Sequence, residues 1–196
     1  MINISIATED LLSEEVILKV LRGIGDFNII HSLGKQGCGY LIKKIDNFNK
    51  LANMCHVLVV IDLDNNVSHD GYVETITRKL NPVHNNLIFS IPTREVESWL
   101  LADRVGLSSF LNISEAKIDR NPDLLDDPKS KLIHLAKNCK NSTAKKGIPP
   151  ADNSVSKVGL SYNTILCDFV NTHWSVDRAV DNSDSLRRTL AMLSDL

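Results

Sequence analysis

Three carboxylates in the first third of the chain have the type and spacing to work on a hard cation. Asp62 and Asp64 close the run HVLVVIDLD, and Glu9 follows the β-branched stretch INISIA. Residues i and i+2 of an extended chain project to one side, so Asp62 and Asp64 reach a common spot if the strand persists through Leu63. Like charges that close raise each other's pKa unless a cation stands between them. Carboxylate oxygens near water suit Mg²⁺ or Mn²⁺ and not zinc. A plainer role competes: Asp62 capping the following loop, and Asp64 forming an Asx-turn with Asn65 and Asn66.

The elements that must position these acids follow from periodicity. Residues 2–7 alternate apolar and small polar side chains and predict a first strand. LLSEEVILKVLRGIG (residues 11–25) predicts a helix, with Ser13 as its cap, Glu14 and Glu15 in the first turn, and Gly23 and Gly25 as stop signals. Residues 26–33 predict a second strand. The loop GKQGCG leads into a helix bearing Leu41, Ile42, Ile45, Phe48, Leu51 and Ala52. HVLVVIDLD is the third strand, a helix spans residues 72–80, and NLIFSIP (residues 86–92) is the fourth strand. Thr93 is placed to cap the helix REVESWLLAD, whose Trp99 and Leu100 are expected to pack it onto the sheet. Residues 129–138, 162–172 and 185–193 predict further helices. Residues 141–156, rich in Lys, Ser, Pro and Asn, are expected to be a mobile loop.

Strands separated by helices predict an α/β fold: a mostly parallel four-stranded sheet flanked by helices, with a helical C-terminal part. The expected division is an α/β core at 1–104 and a helical extension at 105–196, packed as one structural unit. In a parallel sheet ligands bind beyond the carboxyl ends of the strands. Glu9, Asp62 and Asp64 fall at that edge, and Glu97 is expected to join them from one turn into the helix after the fourth strand.

Other residues weigh less. Lys157, in VSKVGLSY, is a candidate cation for a phosphoryl-transfer site, although most single lysines are only solvated. Lys129, Lys131, Lys137, Lys140, Lys145 and Lys146 form the most basic segment, read as a charged solvent face before a nucleic-acid track, because no aromatic residues interleave for base stacking. GKQGCG lacks the spacing of an ATP-binding loop. Of the histidines only His69, near DLD, stands close to the acids, and Tyr162 reads as packing. The four cysteines have no C-x-x-C pair, which argues against a zinc ribbon. A formal charge of -2 excludes a global field for polyanions or anionic lipid. MINISIATED lacks a basic region followed by a long apolar run, and no 18 apolar residues occur in succession. The expectation is a cytoplasmic protein that does not span a membrane.

TEDLLSEEVILKVL, VVIDLD, IPTREVESWLLAD and SLRRTL together resemble a small stand-alone Toprim-like bacterial family, distantly similar to the nuclease domain of OLD-family proteins. In Toprim domains the acid after the first strand usually precedes glycine; here Asp10 follows Glu9. The resemblance implies a Mg²⁺- or Mn²⁺-dependent nuclease cleaving phosphodiester bonds in DNA or RNA. It further implies an effector role in antiviral defence with a separate ATPase as partner. Asp62 and Asp64 would be metal ligands, Glu9 a ligand or base, and Glu97 a ligand of a second ion; Glu14 is a weaker candidate, since a solvated acid at a helix start explains it as well. Two other classes remain open: a non-catalytic interaction module of the same fold, and a phosphatase in which the first Asp of DxD is a nucleophile. Phosphatases of that kind carry the motif on their first strand, whereas here it follows the third.

Overall fold

The β-branched stretches form strands and the amphipathic stretches between them form helices, each packing its apolar side on the sheet. The structure, a computed structural model, describes residues 1–64 and 68–196; Asn65 and Asn66, assigned above to a turn, lie outside the described residues. β1 (Ile2–Thr8), α1 (Leu11–Ile24), β2 (Phe27–Gly34), α2 (Cys38–Leu51), β3 (His56–Val60), α3 (His69–Thr77) and β4 (Leu87–Ser90) follow one another as βαβαβαβ. Among the described residues the strands form one all-parallel sheet in the order β2-β1-β3-β4. This is the α/β architecture expected from the sequence.

Strand alternation divides the core between the two faces. Ala7, Val57, Val59, Ile61, Leu87 and Phe89 pack with Leu41, Ile45 and Phe48 of α2 and Tyr72 and Ile76 of α3. Ile4 and Ile6, one residue out of phase with Ala7, are fully buried, as are Leu12, Val16, Ile17 and Val20 along one side of α1, which contacts β1 and β2. The cap of α1 is Asp10, whose carboxylate accepts from the backbone N–H and the hydroxyl of Ser13. Ser13, the expected cap, is instead buried in the first turn, because the strand ends at Thr8 and leaves Asp10 at the boundary.

The remaining helices are α4 (Glu97–Ala102), α5 (Arg104–Leu111), α6 (Pro128–Lys137), α7 (Ser142–Gly147), α8 (Tyr162–Thr172), α9 (Val176–Ala179) and α10 (Asp184–Ser194). By internal contacts the chain divides into Met1–Thr93 with Arg188–Leu196, and Arg94–Arg187. In the first unit, Thr189 of α10 shares a buried hydroxyl pair with Ser90 at 2.8 Å. The division falls at 93/94 where the sequence reading placed it at 104, because α4 is buried on all sides by α5, α6 and α9 of its own unit. Trp99 finds its partners there as well: its indole donates to Ser185 at 2.8 Å, and its carbonyl accepts from the Trp174 indole at 2.9 Å. Thr93 does not cap α4, which begins after Val96. Part of the expected loop at 141–156 is helical: the Asn141 side chain accepts from Thr143 and Ala144 N–H and starts α7, and Ala144 and Ile148 are buried.

Candidate functional site

The order β2-β1-β3-β4 reverses direction between β1 and β3: the chain leaves β1 towards one edge of the sheet, and every later strand is added on the other side. At such a switch point the loops after the two central strands diverge and leave a crevice beyond their carboxyl ends. Glu9 follows β1 and Asp62 follows β3, so both belong to this crevice. The parallel bonding pattern outlasts β3: Ile61 N–H donates to Ser90 O and Leu63 N–H to Pro92 O, each at 3.1 Å. Ile61 lies in the core and Leu63 packs against it, which turns the intervening Asp62 to the opposite side of the chain. At Asp64 the backbone turns into the left-handed region, φ 50°, and the residue is exposed. The extended geometry that would aim both aspartates at one point therefore persists through Leu63 and ends at Asp64.

Glu9 is held from two directions. Its Oε1 accepts the Asp62 N–H at 2.8 Å, and the Cys38 N–H at the start of α2 is its second backbone donor. Gly37, the cap residue of α2, offers no side chain, so Glu9 supplies the acceptor that the helix start lacks. The loop between β2 and α2 is tied over the end of β1: Lys35 N–H donates to Thr8 O at 2.7 Å and Gly37 N–H to Glu9 O at 2.9 Å. The close approach requires glycine at position 34, where φ is 92° and a Cβ would sit 2.1 Å from Thr8 O.

Burial pushes the Glu9 carboxyl up to about 7; the negative charges of Asp64 and Asp10 add to the rise, and the Asp62 and Cys38 N–H groups oppose it. The proton and the charged form of Glu9 thus compete near neutral pH, which suits a group that exchanges a proton or takes up a cation. Two neighbours are not among the residues singled out from the sequence. Cys38 Sγ lies 3.4 Å from Tyr72 Oη. Burial raises both pKa values, and the charges of Glu9 and Asp64 add to each. A signal for Cys38 did exist: it opens the helix after β2, at the same edge of the sheet as Glu9.

Glu97 and Lys157 belong to the second unit. Glu97, in the first turn of α4, is 2% exposed. Its Oε1 accepts from the Tyr162 hydroxyl at 2.7 Å and lies 3.5 Å from Lys129 Nζ. Its Oε2 is buried without a hydrogen-bond partner among the described residues. Burial raises the Glu97 carboxyl to about 6 against the opposing charge of Lys129 and the Tyr162 hydrogen bond. Tyr162, read from sequence as packing, therefore also serves this carboxylate. Lys157 lines a cavity with Lys129 and Lys137. Glu14 is not a solvated acid: it is buried, accepts from the Ser32 hydroxyl and pairs with Lys35 at 3.1 Å. His69 bonds its neighbour Asp70 at 2.9 Å.

The donor chemistry of Glu9, Asp62 and Asp64 fits a hard divalent cation, and their mutual repulsion favours one. Among the described residues, no three Asp, Glu, His or Cys side chains stand together as a coordination shell. Mg²⁺ does not require three, since it keeps several waters and binds through one or two carboxylates plus substrate oxygens. No protein-family model, curated protein or solved structure matches the chain. Among the described residues, no helix is long and apolar enough to cross a membrane.

Proposed function

We propose that the chain is a Toprim-like, Mg²⁺- or Mn²⁺-dependent nuclease that hydrolyses phosphodiester bonds in DNA or RNA. The observation behind this reading is the hydrogen bond from Asp62 N–H to Glu9 at the switch point, which ties acids from two distant segments into one crevice. Asp62 and Asp64 would hold the cation, with Glu9 as ligand or base. When bound, the cation would supply charge stabilisation to the phosphoryl oxygens. Glu9, titrating near neutrality, would take a proton from the attacking water, and the Asp62 and Cys38 N–H groups would fix its carboxyl orientation meanwhile. Glu97 as a ligand of a second ion, a separate ATPase partner and a role in antiviral defence belong to the same proposal and rest on the sequence resemblance, and Lys157 as a catalytic cation rests on its residue type.

Purified protein incubated with supercoiled plasmid and Mn²⁺ should nick it, and Asp62→Ala should lower the rate by about 100-fold or more. Equal nicking by the variant would assign the activity to a contaminant. The two backbone N–H groups on Glu9 equally favour a second reading, a non-catalytic binding module in which Glu9 only caps α2. In that case millimolar Mg²⁺ would leave the thermal midpoint of the folded protein unchanged.

A further inference from the structure

The second unit contains a cavity of 510 Å³ whose lining includes Lys129, Lys137 and Lys157. Lys129 and Lys137 come from α6, and Lys157 comes from the segment that precedes α8. Two carboxylates share the lining, Glu95 and Asp127, and both are engaged. Glu95 accepts from the Lys129 N–H at 3.2 Å and pairs with Lys129 Nζ at 3.0 Å, while Asp127 accepts the Ser130 N–H at 2.7 Å and caps α6. Lys129 is thereby held between Glu95 and the buried Glu97. Lys137 and Lys157 have no carboxylate at ion-pair distance among the described residues and are exposed. The cavity thus presents two uncommitted ammonium groups beside a satisfied set of acids. Ile133 and Pro150 give it an apolar wall.

We propose that this cavity binds a small phosphorylated ligand of nucleotide size, its phosphate held by Lys137 and Lys157 and its apolar ring against Ile133 and Pro150. A dianion with several oxygens can use two separate ammonium donors, and lysine binds phosphate as a point charge that needs no planar geometry. The volume lies in the range of pockets that enclose ligands of this size. The same chemistry is offered by a free nucleotide and by the 5′-phosphorylated end of a short oligonucleotide.

Lys157 is common to this site and to the nuclease reading, but phosphate binding in the cavity needs no metal ion, and calorimetric titration of the full chain in EDTA separates the two. AMP, adenosine and a 5′-phosphorylated trinucleotide serve as probes, each against the parent, Lys137→Ala/Lys157→Ala and Asp62→Ala. Saturable binding of AMP is expected, weakened about tenfold or more in the double variant, unchanged in Asp62→Ala and absent with adenosine. Tighter binding of the trinucleotide than of AMP would identify a strand end as the ligand, and the reverse a free nucleotide. Both lysines are exposed, so circular dichroism of the double variant should match the parent. The proposal is overturned if neither phosphorylated probe saturates, if adenosine binds as tightly as AMP, or if the double variant keeps parental affinity.

Discussion

Glu9 shows how one carboxyl can couple folding, protonation and cation binding. Its folded pKa of about 7 lies above the ordinary 4.5, so the folded chain holds this proton more tightly than the unfolded chain does. The contribution of Glu9 to stability is fully present below about pH 4.5 and is lost as pH rises through about 7. Glu9→Gln removes the titration and keeps an acceptor for the Asp62 N–H. In EDTA, urea unfolding of the variant should lose the decline and exceed the parent above pH 7 by about 1–2 kcal/mol, a figure reduced for residual solvent screening. Since the carboxyl must lose its proton to hold a cation, stabilisation by Mg²⁺ should grow between about pH 6 and pH 8 and largely disappear in Glu9→Gln. Glu97 is a second case. Tyr162→Phe deletes the hydroxyl donating to a buried carboxylate and should cost about 1–3 kcal/mol. With the Glu97 pKa already raised to about 6, the loss should be larger at pH 8 than at pH 5, where the proton satisfies the carboxyl in both proteins; denaturation at the two pH values checks the sign.

At the scale of elements, the crevice depends on the crossing of the loop that enters α2 over the end of β1. Gly34 makes that crossing possible, since the left-handed φ and the 2.1 Å approach to Thr8 O leave no room for a Cβ. Gly34→Ala should therefore destabilise the protein by about 2–4 kcal/mol, and should also displace the Cys38 N–H from Glu9. Thermal unfolding reports the first effect. A lowered response of the variant's midpoint to Mg²⁺ reports the second. An alanine variant as stable as the parent would mean that the loop has an alternative path. The short α7 shows the converse dependence: Asn141 supplies the start of a helix whose sequence, STAKKG, has no apolar periodicity to announce it.

For the molecule as a whole, the two units have cores of different kinds. The first is a parallel sheet with helices on its faces, and the second is a helical cluster around Trp99, Trp174 and Phe169. Asp103, fully buried, organises part of the second: it accepts from Gly106 N–H at 2.9 Å, Ser175 N–H at 2.7 Å and two nitrogens of Arg178 at 2.7 Å. Asp103→Ala leaves two backbone donors without their acceptor, while the half-exposed Arg178 keeps water and His173 O, and should cost about 2–3 kcal/mol. Both tryptophans of the chain lie in this unit, so their fluorescence in urea should report the loss of its packing directly.

The sequence by itself determined the alternation of strands and helices through β4 and a mostly parallel sheet, while α5, α7 and α9 had no pattern to announce them. It also brought Glu9 and Asp62 to one edge, because hydrophobic periodicity is local and the crossover rule leaves few ways to connect alternating elements. Even the helix at Tyr162–Thr172 keeps the limits read from its pattern. Long-range contact decided the rest. The backbone leaves the extended strand for the left-handed region at Asp64, Asp10 displaces Ser13 as a cap, and Cys38 with Tyr72 comes to stand beside Glu9. Glu97 belongs with Tyr162 and Lys129, partners 65 and 32 residues away in the chain, and Lys157 shares a cavity with lysines of α6. Such assignments depend on which buried charges find partners across distant segments, and desolvation, which sets those pairings, acts only once the tertiary packing exists.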